Sequence, residues 1–91
     1  MFRVIWRHAV VDALMRAYTE VFARAGDTGS ITRAAEEIER SLAHDPAAVG
    51  ESRGRYERVG FFGPLTVTFE IFEEERTVFV LSLTYREPRR S

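Results

Sequence analysis

Arginine is the residue best equipped for chemistry in this chain, and it comes in two groups. Arg53, Arg55 and Arg58 stand together with Tyr56 among them, and Arg86, Arg89 and Arg90 follow Tyr85. A guanidinium presents a rigid fork of N–H donors that matches a phosphate or a carboxylate, and it stays charged throughout the physiological range. A neighbouring tyrosine adds a ring to stack on and a phenol that can hold or orient a proton. If the fold brings the groups together they form a basic groove able to grip an anion. If it does not, they are solvated charges that keep a sheet soluble and discourage edge pairing. Little else competes. Cysteine is absent, His8 and His44 lie far apart, and Glu73, Glu74 and Glu75 run consecutively in a charged turn. Three carboxylates in such a turn do not make a metal site. Neither a metal nor a cofactor is expected.

The composition sets limits on that chemistry. A chain of 91 residues corresponds to one domain, here taken as 1–91. The formal net charge of −1 argues against a generally basic nucleic-acid binder. All thirteen basic residues are arginine, with no lysine. The apolar runs are far shorter than the ~20 residues of a membrane span. Arg3, Arg7, His8 and Asp12 break up the start, so no secretory signal is read there. A cytoplasmic protein with no membrane association is expected.

The elements that must position these arginines are legible from periodicity. Residues 65–86 read as one long hairpin. Leu65, Val67, Phe69 and Ile71 share one side of its first arm, and Thr66, Thr68 and Glu70 the other. In the second arm, Phe79, Leu81 and Leu83 are expected opposite Ser82 and Thr84. Residues 56–62 form a weaker strand, with Val59 and Phe61 on one side and Tyr56, Arg58 and Gly60 on the other. Residues 2–6 form a first strand, with Trp6 directed to the core.

Between them lie two amphipathic helices. The first, 10–25, carries Val10, Val11, Leu14, Met15, Tyr18, Val21 and Phe22 as its apolar stripe, and Gly26 ends it. Asp12–Arg16 and Glu20–Arg24 are expected as i,i+4 pairs. The second runs to about Ala43, capped by Thr28 or Ser30, with Ile31, Ala34, Ala35, Ile38 and Leu42 as its stripe. The short connection implies an antiparallel αα-hairpin, and Asp45-Pro46 stops it. The fold class is therefore α+β in the order β-α-α-β-β-β, an antiparallel sheet with the αα-hairpin packed on one face. Its other face is open, with Tyr56, Arg58, Thr66, Thr68, Glu70, Ser82, Thr84 and Arg86 on it, and Phe72 exposed there as a contact for a partner.

This order, the Asp45-Pro46 stop, the loop Gly50-Glu51-Ser52-Arg53-Gly54 and the ending Leu81-Ser82-Leu83-Thr84-Tyr85-Arg86-Glu87 together resemble the RelE/ParE superfamily of bacterial type II toxins. The resemblance covers nearly the whole chain. It implies a toxin held in check by a cognate antitoxin. RelE-type relatives are mRNA interferases, endoribonucleases that cut messenger RNA on the ribosome; ParE-type relatives poison DNA gyrase; both arrest growth. For RelE-type cleavage a 2′-hydroxyl must lose its proton, attack the phosphate and expel the 5′-oxygen, while arginines hold the added negative charge. The resemblance puts Arg58 and Arg86 in that role, with Tyr85 or Tyr56 stacking on a base or orienting a proton. Arg53, Arg55, Tyr56, Arg89 and Arg90 become contacts to nucleic acid or target. The chain departs from the RelE pattern where Leu65-Thr66-Val67 stands in place of an early third-strand arginine. The alternative is a non-toxic interaction module of the same fold, a homodimer or a partner-binding protein.

Overall fold

A computed structural model describes residues 1–87. Its order is β1 (Arg3–Trp6), α1 (His8–Ala23), α2 (Thr28–His44), a 3-10 turn (Pro46–Ala48), β2 (Glu51–Ser52), β3 (Glu57–Phe62), β4 (Leu65–Phe72) and β5 (Thr77–Tyr85). The strands form one sheet in the order β1-β5-β4-β3-β2. The α+β class and the element order match the sequence reading, with two additions. The pair β1–β5 is parallel, so the sheet is mixed rather than antiparallel. The two-residue strand β2, read as loop, pairs with β3.

Both helices lie on one face of the sheet. The core between them holds Val10, Ala17 and Val21 of α1, Ile31, Ala34, Ile38 and Leu42 of α2, and Leu65, Val67, Phe69, Val78 and Val80 of the hairpin. The α2 stripe is buried largely as its spacing predicts, with Ala35 only half-buried. The α1 stripe is wider than the core can cover: Val11, Met15 and Phe22 stay exposed, Phe22 at 78%. Trp6 is half-buried, and its indole Nε1 donates to Glu39 Oε1 at 2.9 Å, tying β1 to α2.

The helix ends differ from expectation in instructive ways. Ala25, at φ 55°, takes the left-handed position after α1, and Gly26 N–H donates back to Val21 O at 2.8 Å. Glycine thus sits one place beyond the residue that needs its freedom. Gly26 is there for space, because an added Cβ would stand 2.9 Å from Val21 Cγ1. Asp27, not Thr28 or Ser30, caps α2, accepting from Ser30 N at 3.3 Å. The described ion pairs leave out the two expected within α1; Arg24 instead reaches Glu87 at 3.5 Å.

Two local features set which side chains face the helices. The first is the two-residue turn Gly63-Pro64, with Gly63 at φ 56°. It places Phe62 opposite Leu65, and therefore Gly60 opposite Val67 and Arg58 opposite Phe69. Directly paired residues share a face. Phe62 and Gly60 are accordingly buried and Phe61 is 59% exposed, which reverses the side expected for this strand. The second is an irregularity in β4–β5: Thr68 pairs with Ser82 but Phe69 with Val80, which leaves Leu81 as the extra residue. A bulge of this kind shifts the alternation by one. Beyond it Val78 and Val80 face the helices, and Phe79 turns to the open face rather than the core.

Candidate functional site

The bulge and the turn decide where the arginines point. Arg58 does not lie on the open face. It shares the helix side with Phe69, and its guanidinium is engaged: Nε donates to Val49 O at 2.9 Å and Nη2 to Gly50 O at 3.0 Å. It clamps the chain that leads from the 3-10 turn into β2. Gly50 lies at φ 63°, so close to β3 that a Cβ would fall 1.8 Å from Val59 O. Arg58 and Gly50 together hold this connection against the sheet.

Arg86 follows β5, exposed, with its N–H donating to Pro64 O at 2.8 Å. It stands at the opposite end of the strands from the 53–58 group. Four residues of β3 separate the Arg58 row from the Phe62–Leu65–Tyr85 row, about 13 Å, and two strand spacings add about 10 Å across the sheet. Their Cα atoms are thus roughly 16–20 Å apart by this geometry, and the strand pairing sets Arg58 on the helix side. Tyr85 pairs with Leu65 and is half-buried against the core. The expected constellation of Arg58, Arg86 and Tyr85 is therefore not brought to one point.

The other group does come together. Arg53 pairs with Glu51 at 3.7 Å, and Arg55 lies 5.6 Å from the centroid of the Tyr56 ring. Tyr56 stacks on Phe72, centroids 6.3 Å apart and planes 14° off parallel, and Phe72 meets the edge of Phe79 at 5.5 Å. An open concavity beside them is lined by Ser52, Arg55, Tyr56, Glu57, Arg58 and Glu73 among others. Its charge is mixed. Arg89 and Arg90 lie outside the described residues.

The sequence reading placed Glu70 on the open face but missed that Glu57 and Phe79 join it there. Glu57 pairs directly with Glu70, and Glu70 with Phe79, which pairs with Ile5. All four are half-buried on the solvent side of the sheet. Phe72 lies on this face as expected, though half-buried between Tyr56 and Phe79 rather than exposed, and the centre of the face is aromatic and acidic rather than basic. The turn would have revealed the β3 part: with Leu65 assigned to the core, a two-residue loop makes Phe62 its partner.

Two helices on one face of a mixed sheet in this connectivity form the fold of the RelE and ParE toxins. A chain of the RelBE2 toxin–antitoxin complex of Mycobacterium tuberculosis superposes with a TM-score of 0.73 at 17% identity, over 93% of this chain and 91% of that one. A chain of the chromosomal ParDE system of P. aeruginosa gives 0.76 at 14% identity, over 96% and 98%. The isolated E. coli RelE toxin gives 0.65 at 11% identity, over 98% and 88%. By sequence, no family profile and no curated protein matches. Among the described residues no helix is long and apolar enough to cross a membrane.

Proposed function

We propose that this chain is the toxin component of a toxin–antitoxin pair, acting in the cytoplasm by binding a protein target in the ParE manner rather than by cutting RNA. A cognate antitoxin is its partner. One observation carries the choice between the two activities: Arg58 is tied to two backbone carbonyls on the helix side, far from Arg86. In-line attack on a phosphate needs its charge-stabilising donors within hydrogen-bond reach of one group, about 3 Å. The likeness to toxin folds supports the first half of the reading, with structural neighbours that include two toxin–antitoxin systems.

The test is tightly controlled induction of the chain alone in a bacterial culture, with mapping of mRNA ends and a reporter of DNA damage. Arrest with DNA damage, intact messages and no rescue by Arg86→Ala is the expected result. New ribosome-dependent cuts that vanish in Arg86→Ala would establish the RelE-type activity instead. Unimpeded growth with folded protein in the cells would leave a non-toxic interaction module.

A further inference from the structure

The open sheet face carries a pairing that the chain itself does not resolve. Glu57 and Glu70 stand directly opposite each other on adjacent strands. Like charges so placed repel, with Cβ atoms about 4.5–5.5 Å apart. Both are half-buried. Among the described residues neither carboxylate has an ion pair, and neither accepts a side-chain hydrogen bond.

The cations nearest this end of the sheet make their contacts elsewhere. Arg58 holds Val49 O and Gly50 O, Arg53 holds Glu51, Arg55 lies over Tyr56, and Arg76 lies over the Phe2 ring at 4.2 Å. Arg3 stands at the β1 edge, two strand spacings or about 10 Å from β4. Beyond Phe72 the turn adds Glu73, Glu74 and Glu75.

Beside the carboxylates lies an apolar floor. Phe79 is the register partner of Glu70, Phe72 is two residues further along the same face, and Tyr56 stacks on Phe72. Two carboxylates next to aromatic rings match a guanidinium, which forks onto the oxygens while its plane packs on a ring. A phosphate backbone would meet the opposite of what it needs.

We infer that this face docks an extended segment of a protein partner that presents arginine, flanked by apolar side chains, to Glu57 and Glu70. The inference rests on the reading that the chain acts by binding protein, and it specifies the chemistry of the partner.

The experiment is an NMR titration of the full ¹⁵N-labelled chain with three probes: acetyl-Leu-Arg-Leu-Arg-Leu-amide, its glutamate counterpart, and a short uridine-rich RNA. The arginine peptide should shift the amides of Glu57, Val59, Thr68, Glu70, Phe72 and Phe79 in a saturable way. Glu57→Gln with Glu70→Gln should weaken it about tenfold or more, the loss of at least one charged contact. The same substitutions should raise the thermal midpoint by about 1–8 °C, because they relieve repulsion in the free chain. A purely structural role for the two glutamates would lower it.

Equal shifts with the glutamate peptide, shifts centred on α1, tight binding of the RNA at these amides, or no saturable shift at all would each overturn the inference. Growth arrest is scored separately on the same variants. A chain that binds the peptide but does not arrest growth fails the toxin reading alone. One that arrests growth but ignores the peptide fails this inference alone.

Discussion

Replacing Arg58 with alanine separates the clamp from the phosphate-binding role by their energetics. As a clamp, the side chain supplies two charge-assisted hydrogen bonds to the 49–50 carbonyls, at 2.9 and 3.0 Å. Bonds to charged groups contribute roughly 1.5–3 kcal/mol each when shielded, and less in water. The bond from Nε is partly buried and the one from Nη2 exposed, so about 1.5 and about 0.5 kcal/mol are apt for the two. The expected loss is about 2 kcal/mol, which for a domain of this size lowers the thermal midpoint by about 8–16 °C. Circular dichroism melts and urea titrations measure it directly. Arg58→Lys should recover less than half, since a single ammonium nitrogen lacks the rigid planar fork that sets Nε and Nη2 on two separate carbonyls. Hydrogen exchange should quicken first at residues 50–53, where β2 loses its anchor. A residue kept for phosphate binding predicts the reverse, because removing an unpaired cation from a surface leaves stability unchanged or raises it. An Arg58→Ala chain within about 0.5 kcal/mol of the parent, the range of an ordinary surface change, would refute the clamp and return Arg58 to the candidate anion-binding residues.

Two further substitutions test the backbone account. Ala25→Gly should stabilise the chain by about 0.5–1 kcal/mol, since the left-handed position after α1 at φ 55° penalises a Cβ; a fall in midpoint would mean that this helix end does not adopt the left-handed turn. Gly50→Ala should cost more than about 2 kcal/mol, because the new Cβ meets the backbone of β3 at a positive φ and must push β2 off the sheet. An unchanged urea midpoint there would contradict the close approach.

The elements themselves were legible because each rests on a strong local pattern. Ile31, Ala34, Ile38 and Leu42 recur at helical spacing, and all are buried. Leu65, Val67 and Phe69 alternate, and all are buried. The phase of the other strands was not legible by the same means. Phe61 and Phe62 are adjacent, so alternation alone cannot say which enters the core; the Gly63-Pro64 turn decides it. The short run of β1 identifies a strand but not its parallel neighbour. In α1, apolar residues cover more of the circumference than one sheet face can bury, so Val11, Met15 and Phe22 look like core in sequence and are not.

The β5 bulge had the largest consequence for the candidate site. Val78, Phe79, Val80 and Leu81 are all apolar, so no break in pattern marks the extra residue. An unbroken alternation would put Phe79 and Leu81 with Leu83 on the helices and leave the open face polar, which is how a basic groove became plausible. The bulge instead sends Val78 and Val80 inward and Phe79 outward, next to Glu70. The reversed β3 phase takes Arg58 away and brings Glu57 in. Each change moves one residue type, and together they turn a face expected to hold phosphate into one with carboxylates over aromatic rings. The character of this face therefore depends on strand phase more than on composition. Deleting Leu81 removes the extra residue and leaves Val80 opposite Phe69 and Phe79 opposite Glu70, so the two faces should be kept and the chain should still fold with Val78 and Val80 on the helices; an unfolded chain by circular dichroism would contradict this account of the bulge.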